Sequence, residues 1–171
     1  ANTIYVSVCF GLMIVIYPLT KRFFIGPQIF LGLTFNPTII VYAMTNELNN
    51  PTMIFLYLAI AAKTIAFDSF YGLCDMEDDK KLGINSTPLW WGSKTLLIIA
   101  ILQFAVISFL LIVGLKAELS SAWYIGIILL SGFYFYQHRL ASQKNFLLAF
   151  KNNHWASLYL LTLSVFCFLI I

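Results

Sequence analysis

Long apolar runs recur along the whole of this 171-residue chain, and they limit its possible folds more than any other feature. The chain is 61% hydrophobic and 10% charged, whereas a soluble domain typically has about 45–50% apolar and about 25% charged residues. A backbone that crosses lipid must satisfy its own hydrogen bonds, and helices of roughly 20 residues do so. The sequence therefore predicts an all-α, polytopic bundle of membrane helices, with one membrane-embedded domain over residues 1–171.

Six apolar runs come near the length that is needed to cross the hydrocarbon core. The second run contains Pro27 and Pro37. Because proline removes a helix hydrogen bond, we expect that run to be kinked or broken. The six predicted spans cover residues 3–19, 26–45, 51–73, 95–115, 121–138 and 154–171.

The basic residues are distributed unevenly between the loops. Eight of the ten follow the first, third and fifth spans, and these loops alternate onto one face of the membrane. Cytoplasmic loops carry an excess of Lys and Arg, so we expect this face to be cytoplasmic. Residue 1 would then lie on the opposite side, which predicts that an odd number of helices precedes it. The net charge of +3 is modest and does not favour a nucleic-acid partner.

An acidic segment, residues 67–83, overlaps the end of the third apolar run and continues beyond it. Four of the seven acidic residues of the chain lie close together there, and Asp68 lies inside the apolar run itself. Carboxylates near a bilayer are costly unless they bind a partner. We therefore expect this segment to bind a divalent metal ion that carries a phosphate. The four clustered residues are Asp75, Glu77, Asp78 and Asp79.

Helical periodicity places these carboxylates on two faces. At about 100° per residue, Asp68, Tyr71, Asp75 and Asp79 fall on one stripe toward the bundle if the third span stays helical through residue 79. Asp75 and Asp79 are four residues apart, which suits joint binding of one Mg²⁺, since that ion usually takes one or two carboxylates together with substrate phosphate. The alternative is a solvated acidic segment neutralised by the neighbouring lysines. We favour that alternative for Glu77 and Asp78.

Asp68 is an aspartate seventeen residues into an apolar run, and such a residue is a functional candidate by default. An ion pair with Lys63, five residues earlier, is the alternative, although this spacing puts the two side chains on rather different helix faces. At the end of the first span, Tyr17, Lys21 and Arg22 offer a phenol and two cations that suit diphosphate oxygens. Ordinary anchoring of Tyr17, Lys21 and Arg22 at the membrane surface explains their presence equally well.

Taken together, these motifs resemble the UbiA-type intramembrane prenyltransferases, and within them the 4-hydroxybenzoate polyprenyltransferases of ubiquinone biosynthesis. The second aspartate motif of the family is the specific match. Shorter strings keep the order and spacing of the family over essentially all 171 residues. The matching strings are Asp68-x-x-Tyr71-x-x-x-Asp75-x-x-Asp78-Asp79, Lys81-x-Gly83-Ile84-x-Ser86-Thr87, Tyr17-Pro18-x-x-Lys21-Arg22, Pro27-Gln28, Tyr136-Gln137 and Asn152-Asn153.

The resemblance implies the last six helices of a nine-helix membrane bundle, in the inner membrane of a bacterium or a mitochondrion. It implies transfer of a polyprenyl group from its diphosphate to 4-hydroxybenzoate or a similar aromatic acceptor, with Mg²⁺ as the cofactor and the acidic motif on the cytoplasmic or matrix side. The implied site residues are Asp68 as catalytic residue, Tyr17, Lys21 and Arg22 as diphosphate-binding residues, and Asp75 and Asp79 as metal ligands.

The sequence departs from the family in two places. The first aspartate motif of the family, Asn-Asp-x-x-Asp-x-x-x-Asp, does not occur in these 171 residues. We therefore expect the polypeptide to be inactive alone and to need a separate N-terminal segment with three further helices. Lys63 stands where family members carry an apolar or aromatic residue. Its charge would make Asp68 a poorer base or would contact an anionic acceptor.

Two other functions stay open at this point. The missing motif is compatible with a non-catalytic membrane remnant or an interaction subunit. A transporter could use Asp68 and Lys63 as an ion relay, but a relay would not need four carboxylates at the membrane surface.

Overall fold

The computed structural model describes the backbone of residues 2–170 and the side chains of residues 3–167. Over this range the chain is helical and contains no strand, which confirms the predicted all-α class. A 3₁₀ turn, Gly92–Lys94, leads into the sixth helix. The α-helices are α1 (Asn2–Phe23), α2 (Pro27–Thr34), α3 (Thr38–Met44), α4 (Pro51–Leu82), α5 (Thr87–Trp91), α6 (Thr95–Lys116), α7 (Ser121–Ser142) and α8 (Phe146–Ile170).

Three helical segments in the described part of the chain are both long enough and apolar enough to cross a membrane. They are Thr3–Phe23, Pro51–Leu82 and Thr87–Lys116. α7 and α8 contain 22 and 25 residues, which is the length that a span needs. Over the described residues, length and hydropathy together identify Thr3–Phe23, Pro51–Leu82 and Thr87–Lys116 as candidate membrane spans, and they do not identify α7 or α8. The chain is an integral membrane protein that crosses the bilayer more than once.

The second predicted span is broken, as its two prolines indicate. α2 begins at Pro27, where the missing proline N–H costs nothing because the first helical N–H groups have no partner within the helix. Between α2 and α3 the buried Asn36 donates a 2.8 Å hydrogen bond to the carbonyl of Tyr57 and accepts one from the N–H of Thr38 at 3.3 Å. The side chain of Asn36 thus replaces helix hydrogen bonds at the break and ties it to α4.

α4 is a 32-residue helix. Its length of about 48 Å exceeds the roughly 30 Å thickness of the hydrocarbon core, so its last turns extend beyond that core. Asn50 caps its N-terminus by accepting a 2.9 Å hydrogen bond from the N–H of Thr52. Gly83 ends it in the left-handed conformation at φ 65°, which glycine adopts without steric cost. The helix therefore continues through residue 79, as the stripe of carboxylates requires.

α4 is also the central helix of the bundle. It packs most extensively against α6 and also contacts α2, α3, α5 and α8, while α1 packs on α2 and α3. One core cluster near the acidic end of α4 includes Phe70 and Ile99, which are fully buried. A second cluster around Trp123 and Ile127 joins α4, α6, α7 and α8 farther along the bundle. The acidic residues thus project from the best-packed element of the fold.

The start of the sixth span differs from the prediction. α8 begins at Phe146 and not at residue 154. The predicted bounds left Asn152 and Asn153 outside this span, but Asn153 is buried in the helix and its amide donates a 3.2 Å hydrogen bond to the carbonyl of Phe150. Residue 171, the predicted end of this span, lies outside the described residues.

Candidate active site

Asp68, Asp75 and Asp79 lie on one face of α4, as the periodicity predicts. Tyr71, which was predicted to share that face, is 41% exposed. Asp79 is buried, with 7% of its surface exposed, and Asp68 and Asp75 are half-buried. Asp75 lies within electrostatic range of both Asp68 and Asp79. Glu77 is exposed on the other side of the helix. The three carboxylates therefore form a continuous acidic stripe toward the bundle, which we call the α4 stripe.

The carboxylate of Asp79 is incompletely bonded. Among the described residues its buried Oδ2 has no hydrogen bond of regular geometry, and neither has the Oγ of Ser86 in the loop after α4. Ser86 lies near enough to Asp79 to interact with its carboxylate. Buried polar atoms are nearly always hydrogen-bonded in folded proteins, so a ligand that meets Asp79 here would complete its bonding.

The donor set of the α4 stripe fits Mg²⁺. This ion binds oxygen ligands, keeps several waters and is usually held by one or two carboxylates together with substrate phosphate. The buried carboxylate of Asp79 and the half-buried carboxylate of Asp75 one turn earlier supply that number of ligands. Among the described residues no group of three or more His, Cys, Asp or Glu side chains could hold a metal ion. A magnesium ion here would complete its shell with water and phosphate oxygens.

Asp78 behaves as a solvated charge. It forms a 3.2 Å ion pair with Lys81, and both side chains are largely exposed. Exposed pairs of this kind contribute little to stability. The solvated alternative is therefore confirmed for Asp78 and for the exposed Glu77.

The C-terminal end of α1 faces the α4 stripe. The phenol of Tyr17 donates a 3.3 Å hydrogen bond to Oδ2 of Asp68. Lys21, one turn later on the same face, is half-buried and lies within electrostatic range of both Asp68 and Asp79. Arg22 is exposed. The structure thus brings Tyr17 and Lys21 together with the carboxylates, and it leaves Arg22 at the solvent edge.

The contact between Tyr17 and Asp68 was not predicted. Surface anchoring does not explain it, because the phenol points to a carboxylate of another helix and not to an aromatic belt. The two residues are 51 positions apart in the sequence, and no local pattern relates them. A phenol inside the first apolar run and a carboxylate inside the third were the available signal.

A short loop holds the end of α1 against the end of α4. After Gly83 turns the chain, the N–H of Ile84 donates a 2.9 Å hydrogen bond to the carbonyl of Asp79. The N–H of Asn85 then donates a 2.8 Å hydrogen bond to the carbonyl of Lys21. These bonds fix the backbone on both sides of the site.

Two strings that carry the family resemblance support this loop. The buried Gln28 accepts a 2.8 Å hydrogen bond from the N–H of Thr87. The hydroxyl of Thr87 lies 2.8 Å from that of Ser69 on α4. Gly72 allows the close approach, since a Cβ there would lie 3.0 Å from Cγ of Pro88 and 3.2 Å from Nε2 of Gln28. Pro27-Gln28 and Ser86-Thr87 thus position the loop beside the α4 stripe.

A buried polar network lies deeper in the bundle, and sequence reasoning gave it no role. The amide of Gln103 donates a 2.6 Å hydrogen bond to Gln137, whose own amide donates a 3.2 Å hydrogen bond to Asn152. Nε2 of His138 lies 2.8 Å from the carbonyl oxygen of Gln103. Polar residues within apolar helices were the signal for this network, which links α6, α7 and α8.

Lys63 does not pair with Asp68. Its amino group donates a 2.7 Å hydrogen bond to the hydroxyl of Ser157 on α8. In residues 3–167 the one ion pair within 4.0 Å is that between Lys81 and Asp78. The ion-pair alternative for Asp68 is therefore wrong in this structure.

Comparison with known proteins gives consistent matches. The chain matches the family model of the UbiA prenyltransferase family over residues 1–160. The 4-hydroxybenzoate octaprenyltransferase of Marinobacter nauticus is 38% identical over 159 residues, which are 90% of this chain and 54% of that protein. The protein of the same name from Alcanivorax borkumensis is 41% identical over 147 residues, which are 83% of this chain and 50% of that protein. The chain spans about half the length of these curated relatives.

A solved structure shares the fold. The apo structure of a UbiA homolog from Aeropyrum pernix K1 superimposes with a TM-score of 0.80 at 16% sequence identity. The match covers 94% of this chain and 62% of that one. Because the family model matches residues 1–160 of the 171, this chain belongs to the UbiA prenyltransferase family.

Proposed function

We propose that this chain carries the second aspartate motif of an aromatic prenyltransferase. The complete enzyme moves a polyprenyl group from its diphosphate to 4-hydroxybenzoate or a similar aromatic acceptor. One observation carries the proposal: Tyr17 and Lys21 of α1 converge on the α4 stripe, where the carboxylate of Asp79 is buried. The names of the relatives, 4-hydroxybenzoate octaprenyltransferase, support the two substrates.

The diphosphate would bind between α1 and the α4 stripe. Asp75 and Asp79 would hold Mg²⁺, which when bound stabilises the charge on the leaving diphosphate oxygens. Lys21 supplies an ammonium for those oxygens, and Tyr17 supplies a phenolic O–H once it leaves Asp68. Arg22, exposed one residue after Lys21, is a further contact from the solvent side.

Asp68 would orient the acceptor and take its proton. Its carboxylate already accepts a hydrogen bond from one phenol, that of Tyr17, and the acceptor presents the same group. In the reaction the allylic C–O bond breaks and the diphosphate leaves with its electron pair. A C–C bond forms at the ring carbon beside the acceptor hydroxyl as the phenol proton passes to Asp68. That ring carbon then loses its own proton, the phenol oxygen regains one, and the net products are the prenylated acceptor, diphosphate and one proton.

Aromatic rings lie beside the site. The ring centroids of Tyr71 and Phe150 are 5.1 Å apart, and those of Phe67 and Phe150 are 5.9 Å apart. Ring faces attract cations, and their apolar bulk excludes water. These rings would steady the allylic cation until the acceptor attacks.

Location and completeness belong to the same proposal. The basic ends of α1, α4 and α7 favour the cytoplasmic face of a bacterial inner membrane, or the matrix face of the mitochondrial inner membrane, for the acidic end of the bundle. The 171 residues lack the first aspartate motif. We therefore propose that a further segment, in the same polypeptide or in a separate one, supplies this motif. These 171 residues alone would not catalyse prenyl transfer.

The test is a prenylation assay on the protein as its own cells produce it, reconstituted in nanodiscs. Octaprenyl diphosphate and 4-hydroxybenzoate are supplied with MgCl₂ or with EDTA, and Asp75→Ala is compared with Glu77→Ala as the matched control. We expect product with magnesium only, lost in Asp75→Ala and kept in Glu77→Ala. Product in EDTA, or equal product from both variants, would contradict the metal assignment. No product from the unmodified protein would favour a non-catalytic remnant.

A further inference from the structure

A cavity of about 570 Å³ lies between α4 and α8, next to the helix that carries Asp68. Its volume is within the range of about 300–1,000 Å³ that is typical of small-molecule sites. The described residues that line it include lysines, aromatic rings and amide or hydroxyl groups, and none of them is acidic. The lining residues used below are Lys63, Phe67, Phe150, Asn153 and Ser157.

Lys63 places an ammonium group in this cavity, and not all of its N–H groups are hydrogen-bonded to the described residues. An ammonium group has three N–H donors, and in the described residues Lys63 uses one of them, on the hydroxyl of Ser157 at 2.7 Å. That hydroxyl in turn donates a 2.7 Å hydrogen bond to the carbonyl of Asn153, so the amino group has a fixed position. A cation within a membrane helix is costly unless it meets a polar or anionic partner. The arrangement therefore favours an anionic ligand.

The rings of the cavity favour an aromatic ligand. Phe67 lies one turn after Lys63, with its ring centroid 5.6 Å from the amino group. Phe150 packs against Phe67 from α8 at 5.9 Å between ring centroids. Ring faces at this spacing pack well against another ring. Cation and rings together fit an aromatic carboxylate.

We propose that Lys63 binds the carboxylate of the aromatic acceptor and so selects hydroxybenzoates over neutral phenols. This inference rests on the proposed function, because the acceptor is that of the proposed reaction. Lys63 and Asp68 are five residues apart, about 7.5 Å along the helix axis, and their side chains leave α4 in directions about 140° apart. The carboxylate end of the acceptor would therefore meet Lys63 on the side of α4 that faces α8. Its ring would pack on Phe67, which lines the cavity and directly precedes Asp68 in the sequence.

The diphosphate is a less suitable partner for Lys63. Asp75 is twelve residues beyond Lys63, or about 18 Å along the helix axis. A diphosphate held at Asp75 and Asp79 is therefore out of reach of Lys63. The apolar prenyl tail offers no acceptor for its free N–H groups.

The experiment measures affinity directly and not through turnover. Isothermal titration calorimetry on the protein as produced by its cells, in nanodiscs, compares 4-hydroxybenzoate with the neutral 4-hydroxybenzamide. We expect a preference for the carboxylate of about tenfold or more, as for a charge-assisted hydrogen bond. Lys63→Met should reduce that preference to near unity and Lys63→Arg should retain most of it. Lys116→Met, at an exposed lysine in the last turn of α6, should leave it unchanged.

Each outcome bears on the inference separately from the proposed function. An equal affinity of the unmodified protein for both ligands overturns the inference even if Lys63→Met fails to fold. A preference that survives in Lys63→Met, or a weakened affinity for prenyl diphosphate instead of the acceptor, also overturns it. If prenyl transfer is absent but the preference depends on Lys63, the carboxylate site stands and the proposed function falls. If transfer occurs and the preference is independent of Lys63, the proposed function stands and the carboxylate site at Lys63 falls.

Discussion

The backbone N–H of Asn85 donates a 2.8 Å hydrogen bond to the carbonyl of Lys21 and so joins the loop after α4 to the last turn of α1. This single bond places a cation of one helix beside the carboxylates of another. Groups that are positioned before the substrate arrives need no costly rearrangement during the reaction. The site is therefore organised by the backbone as well as by side chains.

Lys21→Met should weaken the binding of prenyl diphosphate. The change removes charge-assisted hydrogen bonds worth about 1.5–3 kcal/mol, so KM for the diphosphate should rise about ten- to hundredfold. Arg22→Met should have a smaller effect, because Arg22 is exposed. Steady-state kinetics measure KM for the diphosphate in both variants. Arg139→Met, at the end of α7, is the control. A larger effect of Arg22→Met would reverse the assignment.

Tyr17→Phe should lower kcat/KM by about tenfold while the protein stays folded, since one hydrogen bond to a charged group is lost. The phenylalanine ring preserves the packing, whereas Asp68 loses the donor that lies 3.3 Å away. Tyr5→Phe on the same helix is the matched control, because Tyr5 is 71% exposed. Kinetics of both variants beside their thermal unfolding curves separate a loss of function from a loss of stability. Equal activities would mean that the Tyr17 hydroxyl has no part in the reaction.

Gln137→Leu should destabilise the bundle. Gln137 is fully buried and joins Gln103 to Asn152. Its loss leaves buried polar groups unpaired, at a cost of about 1–3 kcal/mol. The midpoint of thermal unfolding in one detergent should fall, whereas Gln143→Leu, at an exposed site, should leave it nearly unchanged. An unchanged midpoint for Gln137→Leu would show that this network does not stabilise the fold.

Gly32→Ala should disturb the packing of α2 on α4. A Cβ at Gly32 would lie 2.8 Å from the backbone carbonyl oxygen of Ala61 and 2.5 Å from Cγ1 of Ile65. The carbonyl cannot move without shifting α4, and overpacking of this kind costs about 1–3 kcal/mol. Gly132→Ala is the control, because no atom lies within 4 Å of its added Cβ. The two thermal midpoints should differ clearly, and similar midpoints would refute the close contact.

Features that depend on helical periodicity were predictable from the sequence. The exposure of Glu77 and the burial of Asp79 follow from positions on one helix, since the period of 3.6 residues assigns each residue a face. The break near Pro37 follows from the chemistry of proline. These features need no knowledge of how the helices pack.

Features that depend on packing between helices were not predictable. The contact between Tyr17 and Asp68 requires a relative placement of α1 and α4 that neither segment encodes locally. The hydrogen bond between Lys63 and Ser157 was not predictable because the two residues lie 94 positions apart in the sequence. The early start of α8 was missed because Asn153 satisfies its polar amide inside the helix. In each case a tertiary contact decided what local pattern left open.

The most direct test of the central claim is calorimetric titration of a non-reacting prenyl thiodiphosphate into the reconstituted protein, with and without Mg²⁺. We predict binding that requires magnesium, that is lost in Asp79→Ala and that persists in Asp78→Ala, because the side chain of Asp78 pairs with the exposed Lys81. Binding that is indifferent to magnesium, or that survives in Asp79→Ala, would contradict a metal–diphosphate site on the α4 stripe.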